Sequence, residues 1–294
     1  VRIAALLTCF NRRDKTLKCL AALLHGNVLP GVEVSVILVD DGCTDGTAEA
    51  VRQTFPAVQV VTGDGKLFWN GGMRRAIEQA RMAQFDAHLW LNDDTELIPG
   101  ALSRMVETYR SMSGAGHRPA IVVGTTRDPR SNRMTYGGCR RSGSWNPLKF
   151  EAIAPTDAPQ RCDTFNGNCV LIGIGVVEAL GNLDPNFAHA MGDTDYGLRA
   201  STAGFECWVA PGYVGDCVID HPIKGTFRDS RLGLRKRWRH MMSPKGIPPR
   251  SWRALTRKHG GHFWFVFWLW PYLRVILEGT LLRWFISPAP QGRH

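Results

Sequence analysis

The sequence predicts an α/β fold: a mostly parallel central sheet flanked by helices, followed by a basic, aromatic-rich helical extension. Three observations carry this. Apolar runs with no polar alternation recur, and strands buried on both faces read that way. Two of these runs stop abruptly at paired carboxylates, Asp40-Asp41 and Asp93-Asp94, with helical patterns after each. Strands ending in acids and alternating with helices describe a doubly wound sheet with one shared ligand crevice. Finally, 15 of the 36 Lys and Arg lie from Lys224 onward, against Asp229 and Glu278 as the only acids there. The chain's net charge of +10 therefore belongs to a tail, on a body that is slightly acidic.

In order, Val1 to Cys9 is a buried strand ending at Thr8-Cys9-Phe10-Asn11-Arg12. Asp14 opens a helix with Leu17, Leu20, Ala21 and Leu24 on one face. Val32 to Val39 is the second strand, Thr47 to Phe55 a short helix, and Val58 to Val61 the third strand. A glycine-rich loop, Gly63 to Gly72, follows, and its Phe68 and Trp69 offer flat faces for a ring. The next helix turns Ala76, Ile77, Ala80 and Ala83 inward. Leu89-Trp-Leu-Asn-Asp-Asp-Thr95 is a strand that ends in acid, and a helix runs from about Pro99 to Met112. Ala120 to Val123 is another strand. Residues 127 to 160 read as a hairpin and loops that face a ligand, and Phe165 to Gly173 as a turn into a strand. Gly192 opens an amphipathic helix with Asp193 and Asp195 in its first turn, where capping alone would explain them. Phe205 to Ala210 and Val214 to Ile219 are short strands, and His221 follows.

Several chemistries are excluded. No G-x-G-x-x-G follows the first strand, as a dinucleotide fold needs, and no G-x-x-x-x-G-K-[ST] exists. The eight cysteines form no C-x-x-C pair, which argues against a zinc ribbon or a thioredoxin-type motif. Several sit inside apolar strands as small hydrophobes, which points to a reducing compartment. No signal-peptide pattern opens the sequence. The chemistry that remains centres on Asp93 and Asp94. Adjacent carboxylates repel, and a divalent cation bound by oxygen ligands would relieve them; a solvated turn at a helix N-terminus is the alternative.

The ordered set Thr8-Cys-Phe-Asn-Arg12, Val39-Asp-Asp-Gly-Cys-Thr-Asp45, Asn92-Asp-Asp94, Gly192-Asp-Thr-Asp195 and His221 resembles the inverting glycosyltransferases of the GT-A fold, in the large family 2 group. The resemblance covers residues 1 to about 225. Gly63-Asp-Gly-Lys-Leu-Phe-Trp and Phe165-Asn-Gly-Asn are similar to a subgroup with bacterial rhamnosyltransferases and related polysaccharide enzymes.

The resemblance implies roles. Thr8 and Asp41 contact the nucleotide base, with Asp40 nearby. Asn11, Arg12, Lys66, Trp69 and Gly72 lie along the nucleotide-sugar donor, which is UDP- or dTDP-linked. Asp94 is the direct ligand of Mn2+ or Mg2+, Asp93 lies nearer the ribose, and His221 completes the metal shell. Asp193 is the catalytic base, and Asn166 and Asp195 lie on the acceptor side. Two departures stand out. The family's usual Glu-Asp is Gly192-Asp193 here, and Arg74 replaces a frequent Asn. Arg74 and Arg75 could meet donor phosphates, although solvated helix-face arginines are the plainer reading.

The expected organisation is thus a catalytic domain over residues 1–225 and a tail over 226–294. Twelve Lys and Arg between Lys224 and Lys258 interleave with Trp238 and Trp252, and the eleven residues from Phe263 to Leu273 carry no charge. A membrane-spanning helix needs about 20 apolar residues. The tail instead suits a segment lying in a bilayer interface; a helical pair packed on the body or between copies is the other reading. The expected partners are the donor, a glycan or lipid-linked glycan acceptor and a membrane surface. Nucleic acid is not expected, because the body is acidic and no binding motif occurs. The expected location is the cytoplasmic face of the inner membrane, held peripherally. Two other functions compete: a sugar-nucleotide pyrophosphorylase, which would want a glycine-rich basic loop after the first strand, and a non-catalytic glycan-binding protein, which would not need every acid.

Overall fold

The structure is a computed structural model, and it describes residues 1–114, 119–219 and 225–280. His221 lies outside the described residues. The first half alternates strand and helix: β1 (Arg2–Cys9), α1 (Arg13–Leu24), β2 (Glu33–Asp40), α2 (Thr47–Thr54), β3 (Gln59–Thr62), α3 (Phe68–Ala80) and β4 (Ala87–Leu91). A two-residue strand, β5 (Glu96–Leu97), precedes α4 (Ala101–Gly114) and β6 (Pro119–Arg127). Residues 127 to 160 supply β7 (Gly138–Arg141), β8 (Phe150–Ala152) and the start of β9 (Gln160–Cys162). Then come β10 (Thr164–Phe165), β11 (Cys169–Gly173), α5 (Ile174–Leu180), α6 (Gly192–Thr202) and β12 (Glu206–Asp216). The tail forms α7 (Leu234–Met242), α8 (Pro249–His259) and α9 (Trp264–Thr280).

Among the described residues, the main sheet has nine strands in the order β3-β2-β1-β4-β11-β6-β12-β5, with β9 also on β12. β3, β2, β1 and β4 are parallel; β11 is antiparallel to both β4 and β6, which restores the first direction for β6 and β12. The strand order reverses at β1, between β2 and β4, and crevices of open α/β sheets form at such a point. β7, β8 and β10 make a separate small sheet.

Buried packing on both faces explains the unalternating strands. Ile3, Ala5 and Leu7 of β1 enter one core with α1 and α4, while Ala4 and Leu6 enter a second core with α3 and α6. Successive side chains on a strand point to opposite faces, so a strand between two helical layers must be apolar throughout. Several bounds differ from the sequence reading. In α1 the most buried positions are Thr16, Cys19, Leu20 and Leu23, and Asp14 makes no cap. Ala83 lies beyond α3 and is exposed. The two strands expected across 205–219 are one strand, β12, whose register shifts around Pro211-Gly212.

The glycine-rich loop also ends earlier than expected. Phe68 to Gly72 already belong to α3. A glycine sits inside the helix at 72 because of a close approach: a Cβ there would come within 2.1 Å of Thr8 Oγ1.

Candidate active site

The ends of β1, β2 and β4 and the first turn of α6 bring Thr8, Asp41, Asp93, Asp94 and Asp193 to one cleft. One compartment, of about 400 Å3, is lined by Arg12, Trp69, Asp93, Asp94, Asn166 and Asp193, among others. A second, of about 340 Å3, is lined by Thr8, Phe10, Asp41 and Phe68. Both share Arg12, Trp69, Asp93, His189 and Lys245, so they are continuous.

Asp41 shapes the second compartment. Its Oδ1 accepts the N–H groups of Gly65 (2.9 Å) and Leu67 (3.2 Å), and its Oδ2 accepts that of Phe68 (3.0 Å). These bonds fold the 63–68 segment over the end of β2. They also hold Phe68 at φ 53°, where a bulky side chain is strained. Met191, which lines the first compartment, sits at φ 76°.

At the centre, Arg12 Nη1 lies 3.2 Å from Asp93 Oδ1 and 2.7 Å from Asp94 Oδ2. Burial pushes the Asp93 carboxyl up to about 7, despite Arg12; the charge on Asp94 adds to the rise. The pair fits an oxygen-ligated divalent cation. Two carboxylates already converge on one cationic nitrogen, and a hard ion such as Mg2+ or Mn2+ takes such ligands. A trio of close metal-capable atoms lies elsewhere among the described residues, at Cys9, Asp40 and Cys43. Burial there pushes the Cys43 thiol up to about 11, Asp40 Oδ1 accepts the Cys43 N–H at 2.9 Å, and the Cys9 and Cys43 sulfurs lie 3.8 Å apart.

Asp193 lines the same compartment as this pair. Its Oδ2 accepts the Gly167 N–H (2.9 Å) and its Oδ1 the Thr194 N–H (2.8 Å). Burial raises its carboxyl above the usual range, against these bonds. Gly167 is required here, because a Cβ would come within 2.6 Å of Trp69 Cζ2 and 3.3 Å of Asp193 Cβ. The Trp69 indole is fixed by Nε1–H donation to Asn92 Oδ1 (2.7 Å) and by edge contact with the buried Trp90. The Gly192 departure has a cause as well: a Cβ there would collide with Asn70 Oδ1, so Asn70 fills the space of a side chain at 192.

Other expected residues fall outside the cleft. Asp195 is fully buried and faces the tail, with Arg199 Nε at 2.9 Å, Lys258 Nζ at 2.9 Å and His259 Nε2 at 3.0 Å. It is a structural ion-pair centre and lines neither compartment. Asp40 closes the Cys43 turn. Asn11 Oδ1 accepts the Thr44 N–H at 2.7 Å and ties two loops together. Lys66 is exposed and lines neither compartment. Gly72 acts by its lack of a side chain beneath Thr8. Arg74 faces Glu78, at 3.7 Å. Conversely, Lys245, His189 and Tyr136 line the cleft without having been singled out. Lys245 comes from the tail, where it looked like one more charge in a basic run.

The family model for glycosyltransferase like family 2 matches residues 2–259. The chain is a family 2 glycosyltransferase. The transferase is 26% identical, over 223 residues, to the N-acetylglucosaminyl-diphospho-decaprenol L-rhamnosyltransferase of Mycobacterium tuberculosis, in strains CDC 1551 / Oshkosh and ATCC 25618 / H37Rv; the match covers 67% of this chain and 69% of that protein. Its fold is the GT-A fold. It matches a mannosyltransferase of Pyrobaculum calidifontis, solved with GDP-Man and Mn2+, at a TM-score of 0.57 and 15% identity, over 98% of this chain and 76% of that one.

Proposed function

We propose that this transferase is metal-dependent and inverting. It moves a hexose or rhamnose from a UDP- or dTDP-linked donor to a glycan or lipid-linked glycan in bacterial surface polysaccharide synthesis, at the cytoplasmic face of the inner membrane. One observation carries the reading: a single cleft holds the Asp93-Asp94 pair together with the desolvated carboxylate of Asp193. A lipid-linked acceptor is supported by the mycobacterial relative, which by its name acts on N-acetylglucosaminyl-diphospho-decaprenol.

The residues divide the work. Thr8 and Asp41 receive the base in the second compartment, between Phe10 and Phe68. Arg12 and Lys245 face the donor diphosphate where the compartments join. Asp94, with Asp93 beside it, would hold the divalent cation, and the family resemblance implies that His221 would complete the shell. When bound, the cation supplies Lewis-acid stabilisation of the leaving diphosphate. Asp193 accepts the proton of the acceptor hydroxyl as that oxygen attacks the anomeric carbon. One displacement forms the new glycosidic bond, breaks the bond to the diphosphate and inverts the centre.

The test is transfer from a panel of nucleotide-sugars to a diphospho-lipid N-acetylglucosamine acceptor, with and without EDTA. The expected product forms only with Mn2+ or Mg2+ and has the anomeric configuration opposite to the donor. Turnover that survives EDTA, or a retained configuration, would contradict the mechanism.

A further inference from the structure

The tail helices α8 and α9 present a surface that the transfer reaction does not use. One side of α9 packs inward: Tyr272 and Val275 join Met241 of α7 in a small core of their own. The other side is bare over most of the helix. Phe265 (52% exposed), Leu269 (44%), Trp270 (56%) and Leu273 (42%) lie along it, and Ile276 and Leu277 extend it. Among the described residues, no helix is long and apolar enough to cross a membrane.

The helix packed on α9, α8, carries a row of cations. Arg250, Arg253 and Arg257 recur at helical spacing on α8 and are exposed. With Lys258 and Trp268 they line a groove of about 480 Å3 between α8 and α9. Lys258 is committed to Asp195, and Arg250 donates one bond, to Asn186 Oδ1 at 3.1 Å. Arg253 and Arg257 have no partner among the described residues.

We infer that this face is a bilayer dock: α9 lies in the interface plane with its apolar arc among acyl chains, and the α8 arginines take lipid phosphates in the groove. An amphipathic helix with one apolar and one basic flank binds anionic membranes in this way. Charge selects the occupant. A second copy of this chain would bring two arginine rows together, and the one acid on α8 and α9, Glu278, is already held by Arg237 and Arg274. A phosphate-bearing lipid surface complements the row. The dock deepens the lipid-linked acceptor reading and rests on it for its purpose, but lipid binding is measured without donor or acceptor, so each can fail alone.

The test is co-sedimentation of the full chain with vesicles of phosphatidylcholine, with and without phosphatidylglycerol. The chain is expected to bind the anionic vesicles and to be released by salt. Near an anionic surface each arginine strengthens binding about fivefold, so a triple Arg250→Gln, Arg253→Gln, Arg257→Gln variant should bind on the order of a hundredfold more weakly. A Leu269→Glu, Trp270→Glu variant should lose vesicle binding while keeping its melting transition and its turnover of a soluble acceptor, since both side chains are already exposed. The dock is overturned if the wild-type chain ignores vesicles of both compositions, or if either variant binds as wild type does. It is equally overturned if the apolar variant only converts a dimer to a monomer in sedimentation velocity.

Discussion

Asp93 and Asp193 are two carboxyls that burial makes reluctant to ionise, and the reluctance separates two pH profiles. In the proposed mechanism both are ionised when they act, so both rates should fall as pH falls. The kcat/KM profile reports the free enzyme and the kcat profile the loaded one. Asp93 is pushed up to about 7 in the empty cleft, so kcat/KM should lose its plateau below about pH 7. Once a cation and donor are bound, Asp93 is held ionised and kcat depends on Asp193. Its acidic limb should lie above the usual carboxylate range, because burial raises that carboxyl. Identical profiles for the two constants would contradict the separate roles. At this scale the sequence shows the acids but not their assignment. Asp193 and Asp195 share one helical turn and differ by two positions. Only the arrival of Lys258 and His259, more than sixty residues later, makes one structural and leaves the other facing the cleft.

At the scale of elements, α8 is fastened to the body through Asp195. Burial alone would raise that carboxyl, but the bonds from His259 and Lys258 win and hold it below the usual range. A depressed carboxylate stabilises the fold fully above its unfolded value of about 3.9, and the contribution is lost as pH falls through the folded value. Asp195→Ala removes the buried carboxylate that Arg199, Lys258 and His259 share, and breaking such a buried pair typically costs about 3–5 kcal/mol. Urea melts at neutral pH should show a loss of that size, and hydrogen exchange should quicken in α8 before β1. A loss below about 1 kcal/mol would mean the tail is held by other means. Element types were legible wherever an apolar run met a clear stop, as at Asp40 and Asp93. They were misread where a small residue serves packing: Gly71-Gly72 resembles a loop until Thr8 is seen pressing on α3, and Pro211-Gly212 resembles a break until β12 continues through it with a bulge.

At the scale of the whole molecule, the reversal of strand order at β1 gathers acids from distant segments, and the tail adds the last cation. Apolar runs ending in carboxylates foretell such a crevice, because open α/β sheets bind at these strand ends. Lys245 could not be foreseen in that way, since its place depends on how α7 and α8 dock. In the proposed mechanism Asp93 and Asp94 serve the cation and diphosphate, and Asp193 is left as the free base of the same cleft. Donor affinity and turnover must then separate at Asp193. The decisive measurement is calorimetric donor binding with Mn2+ alongside kcat for Asp193→Asn. Donor affinity should stay within about threefold of wild type while kcat falls by about 10²–10⁴-fold, the usual worth of a positioned base. An unchanged kcat, or donor affinity lost in step with kcat, would contradict that mechanism.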